Sequence, residues 1–217
     1  MKIDPATFNW KDLHGLFVSA VIPRPIAFVS TLGRDGVFNL AAFSFYNLFC
    51  LKPAIVALGI MSKRDGQEKD TLRNIEFSKD FVINVVPETL AEAVNQASAE
   101  YATDVDEFKE VGLTPVKAHL VKAPLVAESP VNMECKLVQI LEFGEPPTGS
   151  HVVMGEVVLV HVRDDLWTGE HIDLSKYKAV GRLVEDLYCR ISDQFEMKRY
   201  NLRGLFESES NLSAGEF

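Results

Sequence analysis

Trp10, Leu13, Leu16, Phe17 and Ala20 recur at helical spacing, so the first patterned segment predicts a short helix to Val21, packed by that face. Pro23-Arg24-Pro25 stops it, because each ring fixes φ and disfavours helix in the residue before it. Ile26 to Val29 is a short apolar run that predicts a buried strand, and Val37 to Leu40 predicts its return strand. Between them, Leu32-Gly33-Arg34-Asp35-Gly36 carries the glycines that a tight hairpin turn accepts at positive φ. Ala41 to Asn47 departs from ordinary strand patterning, mixing small residues with Phe43, Phe45 and Tyr46. Ala54 to Ile60, apolar on both faces, predicts a central strand.

Thr71 to Phe77 predicts a short helix, and Asp80 to Val86 a further strand. Pro87 then opens an amphipathic helix over ETLAEAVNQASAEY, and Val105 to Val111 adds one more turn, ended by Gly112. Val131 to Leu137 alternates apolar and polar, which predicts a strand with one wet face, continuing through Phe143. Gly144 to Ser150 has turn composition, and His151 to Val162 is a long β-branched run that predicts a paired strand. Asp164 to Lys178 resembles a loop anchored by Trp167, and Ala179 to Tyr188 fits a short helix or a strand. Strands joined by hairpins, with helices inserted between them, predict a mainly β fold. An antiparallel barrel with helical insertions fits better than a parallel βαβ sheet.

Composition narrows the partners. At 217 residues and 47% hydrophobic, the chain has material for a sizeable core, in one large β-rich domain or two small ones. A formal net charge of −9 argues against nucleic acid or an anionic membrane as partner. Cys50, Cys135 and Cys189 are far apart and lack metal-ligand spacing, so reduced thiols in a cytoplasmic protein are expected. The first residues lack the apolar centre of a signal peptide, and Asn47, Lys52 and Pro53 interrupt the most apolar stretch, which disfavours a membrane span. GxGxxG, GxxxxGK[ST], HExxH, CxxC and GxSxG are all missing. His119, His161 and His171 read as surface or strand histidines, and no metal is expected.

Two stretches carry candidate chemistry. In Ala41 to Asn47, small residues let backbone N–H groups approach a flat ligand, while Ser44 and Asn47 offer polar contacts beside an apolar wall. A hairpin with an aromatic plug fits the same residues. Met61 to Asn74 gathers Ser62, Lys63, Arg64, Lys69 and Thr71 ahead of a helix, which suits a phosphate and equally suits a solvated charged turn. His151 opens a strand beside a glycine turn, a place that fits a structural or a functional histidine.

Four segments lie in register: PRPIAFVST at Pro23 to Thr31, NLAAFSFYN at Asn39 to Asn47, KDTLRNI at Lys69 to Ile75, and GSHVVMGEVV at Gly149 to Val158. Together they resemble the flavin reductase-like family with an FMN-binding split β-barrel, the group that includes flavoredoxin. The resemblance runs from about Phe8 to Arg199. It implies one domain over residues 1–199 and a C-terminal tail over 200–217. It also implies an FMN held by Ser30, Thr31, Asn39, Ala41, Ala42, Phe43, Ser44 and Phe45, with its phosphate near Ser62, Arg64, Lys69 and Thr71. NADH or NADPH would be the small-molecule co-substrate, with His151 lining the nicotinamide face, and catalysis would be chiefly positioning. A homodimer and an electron-acceptor protein, such as a monooxygenase, are the implied partners. A flavoredoxin-like electron carrier and a non-catalytic FMN-binding module stand as alternatives.

Overall fold

The computed structural model describes residues 1–146 and 148–198; the expected tail at 200–217 lies outside them. In chain order the strands are β1 (Ala27–Leu32), β2 (Phe38–Phe43), β3 (Tyr46–Leu51), β4 (Ala54–Met61), β5 (Asp80–Val85), β6 (Pro115–Val116), β7 (Leu125–Val126), β8 (Val131–Phe143), β9 (Ser150–Val162), β10 (Val180–Arg182) and β11 (Tyr188–Arg190). The α-helices are α1 (Trp10–Ala20), α2 (Asp70–Ser78), α3 (Ala91–Gln96) and α4 (Glu107–Glu110). No helix among the described residues is long and apolar enough to cross a membrane.

The β1–β2 hairpin forms as its turn chemistry predicts. Gly36 takes φ +83°, and the Gly33 N–H donates to the Val37 carbonyl at 2.9 Å. Seven antiparallel strands then follow the order β2-β1-β5-β8-β9-β4-β3. The order itself forces curvature. β2 and β3 are the two edges of the sheet, yet Phe43 and Tyr46 are only three residue steps apart, a reach of about 10 Å. In a flat sheet of this size the edges would stand about 29 Å apart, at roughly 4.8 Å per strand. The sheet therefore curls into a barrel whose edges meet at Ser44 and Phe45 without a ladder between them. It is a split barrel.

Alternation along the strands divides most of the apolar residues between two main cores, and a smaller cluster of Val82, Ala118, Ala123 and Leu125 lies beneath the covering segment. Ala27, Val29, Phe43, Val56, Leu58, Ile60, Phe81, Ile83, Cys135 and Val153 fill the interior, closed by Leu72 and Ile75 of α2. Phe28, Leu40, Val86 and Val126 pack outside with Val94 of α3, Phe108 of α4 and Val180. Gly155 is required where the Phe81 ring crosses β9: a Cβ there would lie 2.5 Å from Phe81 Cζ.

Several local expectations need correction. The expected wet face of β8 is wet only at Lys136: Asn132 and Glu134 are buried beneath the segment from Lys117 to Val126. Polar side chains on the sheet receive the backbone of that segment. Ala123 N–H donates to Asp80 Oδ1 at 3.2 Å, and Val126 N–H to Asn84 Oδ1 at 2.9 Å. The amphipathic helix after Pro87 shortens to a 3-10 turn at Glu88–Leu90 followed by α3. Ala41 to Phe43 continue β2 instead of leaving it. The face expected to pack α1 is largely exposed, with Trp10 at 48% and Phe17 at 50%, while Val18 is buried. Of the two expectations for Ala179 to Tyr188 the strand holds, in the β10–β11 hairpin.

Candidate functional site

The barrel seam opens into a cleft along the free edge of β2. At one end, Asn39, Ala41, Ala42, Phe43, Lys63, Lys69, Thr71 and Glu107 surround a narrow recess of about 70 Å³, closed by Ala97 to Tyr101. Ala42, Phe43 and Lys69 also line the next segment, of about 320 Å³, with Ser44, Phe45, Gly59, Met61 and Arg24. The cleft then widens to about 730 Å³ between Phe45, Tyr46 and α1, where Trp10, Phe17 and Val21 form an apolar wall beside His14. The two larger segments fall in the size range of small-molecule sites.

Each end is built from a sequence feature. At the narrow end, α2 starts at Asp70 with Lys69 as its N-cap, and no side chain caps the first turn. That leaves amide N–H groups at a helix N-terminus, where an anion is favoured. Asp70 does not cancel the effect, because its carboxylate is already held by Lys63 Nζ at 2.8 Å and by Arg73. Burial raises the Asp70 pKa, but hydrogen bonding and charge from Lys63 outweigh this and hold it below the usual carboxylate value. Lys69 makes no ion pair among the described residues. Thr71 Oγ1 accepts from Asn39 Nδ2 at 3.1 Å, leaving its hydroxyl hydrogen for another acceptor.

In the middle, β2 offers backbone groups. Leu40 N–H faces away from β1 and donates to Glu107 Oε2 at 3.2 Å. Alternation along an antiparallel strand turns the N–H and C=O of Ala42 to the same open edge. Burial, opposed by hydrogen bonds that include the Leu40 N–H, pushes the Glu107 carboxyl up to about 7. A Cβ on Gly59 would meet Phe45 Cβ at 2.9 Å, so glycine there lets the Phe45 backbone lie flat across the seam. Arg24 ties the wide end together. Its guanidinium caps α1 through the carbonyls of Val18 and Val21 (3.1 Å to the latter), reaches the Leu183 carbonyl at 2.7 Å, and contacts Ser44 Oγ at 3.3 Å.

Asn39, Ala41, Ala42, Phe43, Ser44, Phe45, Lys69 and Thr71 are thus brought together. Other expected residues are not. Ser30 is fully buried, donates to the Pro124 carbonyl and accepts from Asn84 Nδ2 at 3.1 Å, holding the covering segment instead of lining the cleft. Thr31 is fully buried, and its hydroxyl accepts from Asn74 Nδ2 at 3.0 Å. Ser62 lies outside the cleft lining, with its N–H on the Gly149 carbonyl at 3.2 Å, and Arg64 points to solvent. His151 sits near Glu142, its Nε2 4.0 Å from Glu142 Oε1, and is not among the lining residues. The sequence reading missed Arg24, His14, Met61 and Glu107. Only the first carried a signal, an arginine between two prolines.

Comparison with known proteins bears on the family and the fold. The Flavin reductase like domain matches residues 18–176. An uncharacterised protein of Halalkalibacterium halodurans is 36% identical over 203 residues, covering 92% of this chain and 96% of the relative. Component B of a nitrilotriacetate monooxygenase from Bacillus cereus superposes with a TM-score of 0.87 at 30% identity, covering 91% of this chain and 98% of that one. The 2-nitrobenzoate 2-nitroreductase of Pseudomonas fluorescens gives 0.84 at 26% identity, covering 93% and 98%.

Proposed function

The chain belongs to the flavin reductase-like family, and from that premise we propose that it is an NAD(P)H-dependent reductase of FMN that supplies reduced flavin to a partner. The observation that carries this is the polarity gradient of one continuous cleft: a cation and helix N–H groups at the narrow end, an open strand edge in the middle, an apolar wall at the wide end. Those are the donors and surfaces that a phosphorylated, flat, edge-polar ring requires, so the residues present fit FMN.

In this reading Lys69, Thr71 and the first N–H groups of α2 bind the phosphate. Ala42 N–H hydrogen-bonds the polar edge of the ring, while Phe43, Phe45 and Met61 exclude water from one face. When bound, the flavin supplies the two-electron acceptor for hydride. The wide segment beside α1 receives the nicotinamide, and Arg24 keeps that segment in shape by fixing α1, Ser44 and Leu183 relative to one another. No side chain is required as acid or base, so the chain contributes by positioning. A partner that consumes reduced flavin is in keeping with the similarity to component B of a monooxygenase.

A homodimer completes the proposal. Leu48, Phe49 and Leu51 on the edge strand β3 are exposed, as are Phe17 and Val21 of α1. An apolar edge of that kind is a ready pairing surface. The reaction is tested by adding FMN to the purified protein and following NADH and NADPH oxidation, with anaerobic bleaching of the flavin spectrum as the direct readout. Bleaching by a nicotinamide with turnover of added FMN is expected. Flavin that stays oxidised with both nicotinamides would overturn the reductase reading in favour of a carrier or a binding module.

A further inference from the structure

Two histidines and a carboxylate that the cleft does not use meet on the outer face of the sheet. Glu134 of β8 and His161 of β9 project from the same face, because His161 pairs with Asn132, two residues before Glu134. His161 Nε2 lies 2.6 Å from Glu134 Oε1. His119, on the segment that covers this face, brings Nδ1 to 3.8 Å from the same oxygen, and the two imidazole centroids are 5.1 Å apart. One ligand atom from each of the three lies within 4.8 Å of the others.

Glu134 is fully buried and held in place by the backbone N–H groups of His119, Leu120 and Val121, at 2.8, 2.6 and 3.1 Å. Burial alone would favour its neutral form, but those N–H groups and His161 prevail and hold its pKa below the usual carboxylate value. It is a fixed anion, with one oxygen turned toward both imidazoles.

We propose that His119, Glu134 and His161 bind one divalent transition-metal ion of the zinc class. Zinc sits about 2.0–2.2 Å from nitrogen and oxygen ligands, which places tetrahedral ligand atoms about 3.3 Å apart. The two nitrogen–oxygen separations, 2.6 and 3.8 Å, straddle that value. An outward shift of His161 by about 0.7 Å and an inward swing of His119 by about 0.5 Å would bring both nitrogen–oxygen separations to that value, with the His119 swing also closing the gap between the two rings. His119 is free to swing, since its side chain is 70% exposed. Two imidazoles with one carboxylate select zinc, cobalt or nickel over magnesium or calcium. Three protein ligands leave a fourth position, open beside exposed His119. None of the three residues lines the flavin cleft, so the bound ion fastens the covering segment to the sheet.

The test uses the untagged full chain, stripped with chelator and titrated with Zn²⁺ by calorimetry and with Co²⁺ by visible absorption. One ion per chain is expected, with a Kd of about 1 μM or lower and a Co²⁺ spectrum of tetrahedral type. His119→Ala removes an exposed ring and should weaken uptake at least about tenfold, with unchanged circular dichroism and flavin content. Zn²⁺ should raise the melting temperature of the unsubstituted chain and leave that of His119→Ala unchanged. His161→Ala should bind as weakly; if it does not fold, His119→Ala decides alone. No saturable uptake, or full uptake by His119→Ala, overturns the proposal.

Discussion

Replacing Lys69 by alanine separates phosphate recognition from ring recognition. Lys63 is committed to Asp70 at 2.8 Å and Arg64 is exposed outside the cleft, which leaves Lys69 as the cation at the narrow end with no ion pair among the described residues. A hydrogen bond to a charged group contributes about 1.5–3 kcal/mol. At about 1.4 kcal/mol per decade, Lys69→Ala should weaken FMN roughly tenfold to hundredfold. Riboflavin lacks the phosphate, so its affinity should change less than about twofold, well under 1 kcal/mol. Titrating flavin-free protein with each ligand, by flavin fluorescence, measures both constants. Arg64→Ala is the control and should leave both affinities within about twofold. Equal losses of FMN and riboflavin in Lys69→Ala, or an Arg64→Ala loss as large as that of Lys69→Ala, would refute the assignment of the phosphate to the start of α2.

Ala42→Leu should lower flavin occupancy while the fold survives, because the side chain borders the cleft; undiminished flavin content in the folded variant would move the ring elsewhere. Glu107 is raised from 4.5 to about 7, so the folded state binds the extra proton between those values and loses stability as pH rises through them. Urea midpoints should therefore fall less between pH 5 and pH 8 in Glu107→Gln than in the parent, and identical slopes would contradict the raised value. Gly155→Ala drives a Cβ to 2.5 Å from Phe81 Cζ and should cost about 1–3 kcal/mol in urea unfolding, an expectation that a stability-neutral variant would end. Light scattering at micromolar concentration should give twice the 24.2 kDa chain mass, and Phe49→Asp should shift it toward the monomer; a single-chain mass with FMN bound would sink the shared interface.

Much of the barrel was legible because it follows local rules. The glycines at 33 and 36 specify the β1–β2 turn, and the β-branched run after His151 specifies β9. Asn39, Ala41 to Phe45, Lys69 and Thr71 do border one cleft, although the sequence alone fits an aromatic plug and a solvated charged turn equally well. What was hidden depends on contacts distant in sequence. Glu134 alternates like a solvent-facing residue, and only the segment from Lys117 to Val126 makes it buried. Ser30 reads as a ligand-facing hydroxyl until Pro124, 94 residues later, is placed against it. Arg64 and Lys69 are indistinguishable as charges in a loop. The start of α2 separates them, turning one toward the cleft and the other toward water. His151 shared a motif with the family segments, but its register opposite Ile60 and Glu142 keeps it from the cleft.

The two free edges that meet at Ser44 and Phe45 also bear on how wide this barrel is. In a closed barrel the hydrogen-bond register fixes strand tilt and diameter together, so girth cannot change without breaking a ladder. Here β2 and β3 share no ladder, and at that point the two-residue link is held by the Gly59 N–H on the Phe45 carbonyl at 2.6 Å and by Arg24 on Ser44 Oγ. The seam is thus an expansion joint. A guest that wedged between Phe43 and Phe45 would part the two edges without breaking a β2–β3 ladder, because none exists. The same short link joins the edge that faces the cleft to the edge that exposes Phe49 and Leu51, so spreading one displaces the other.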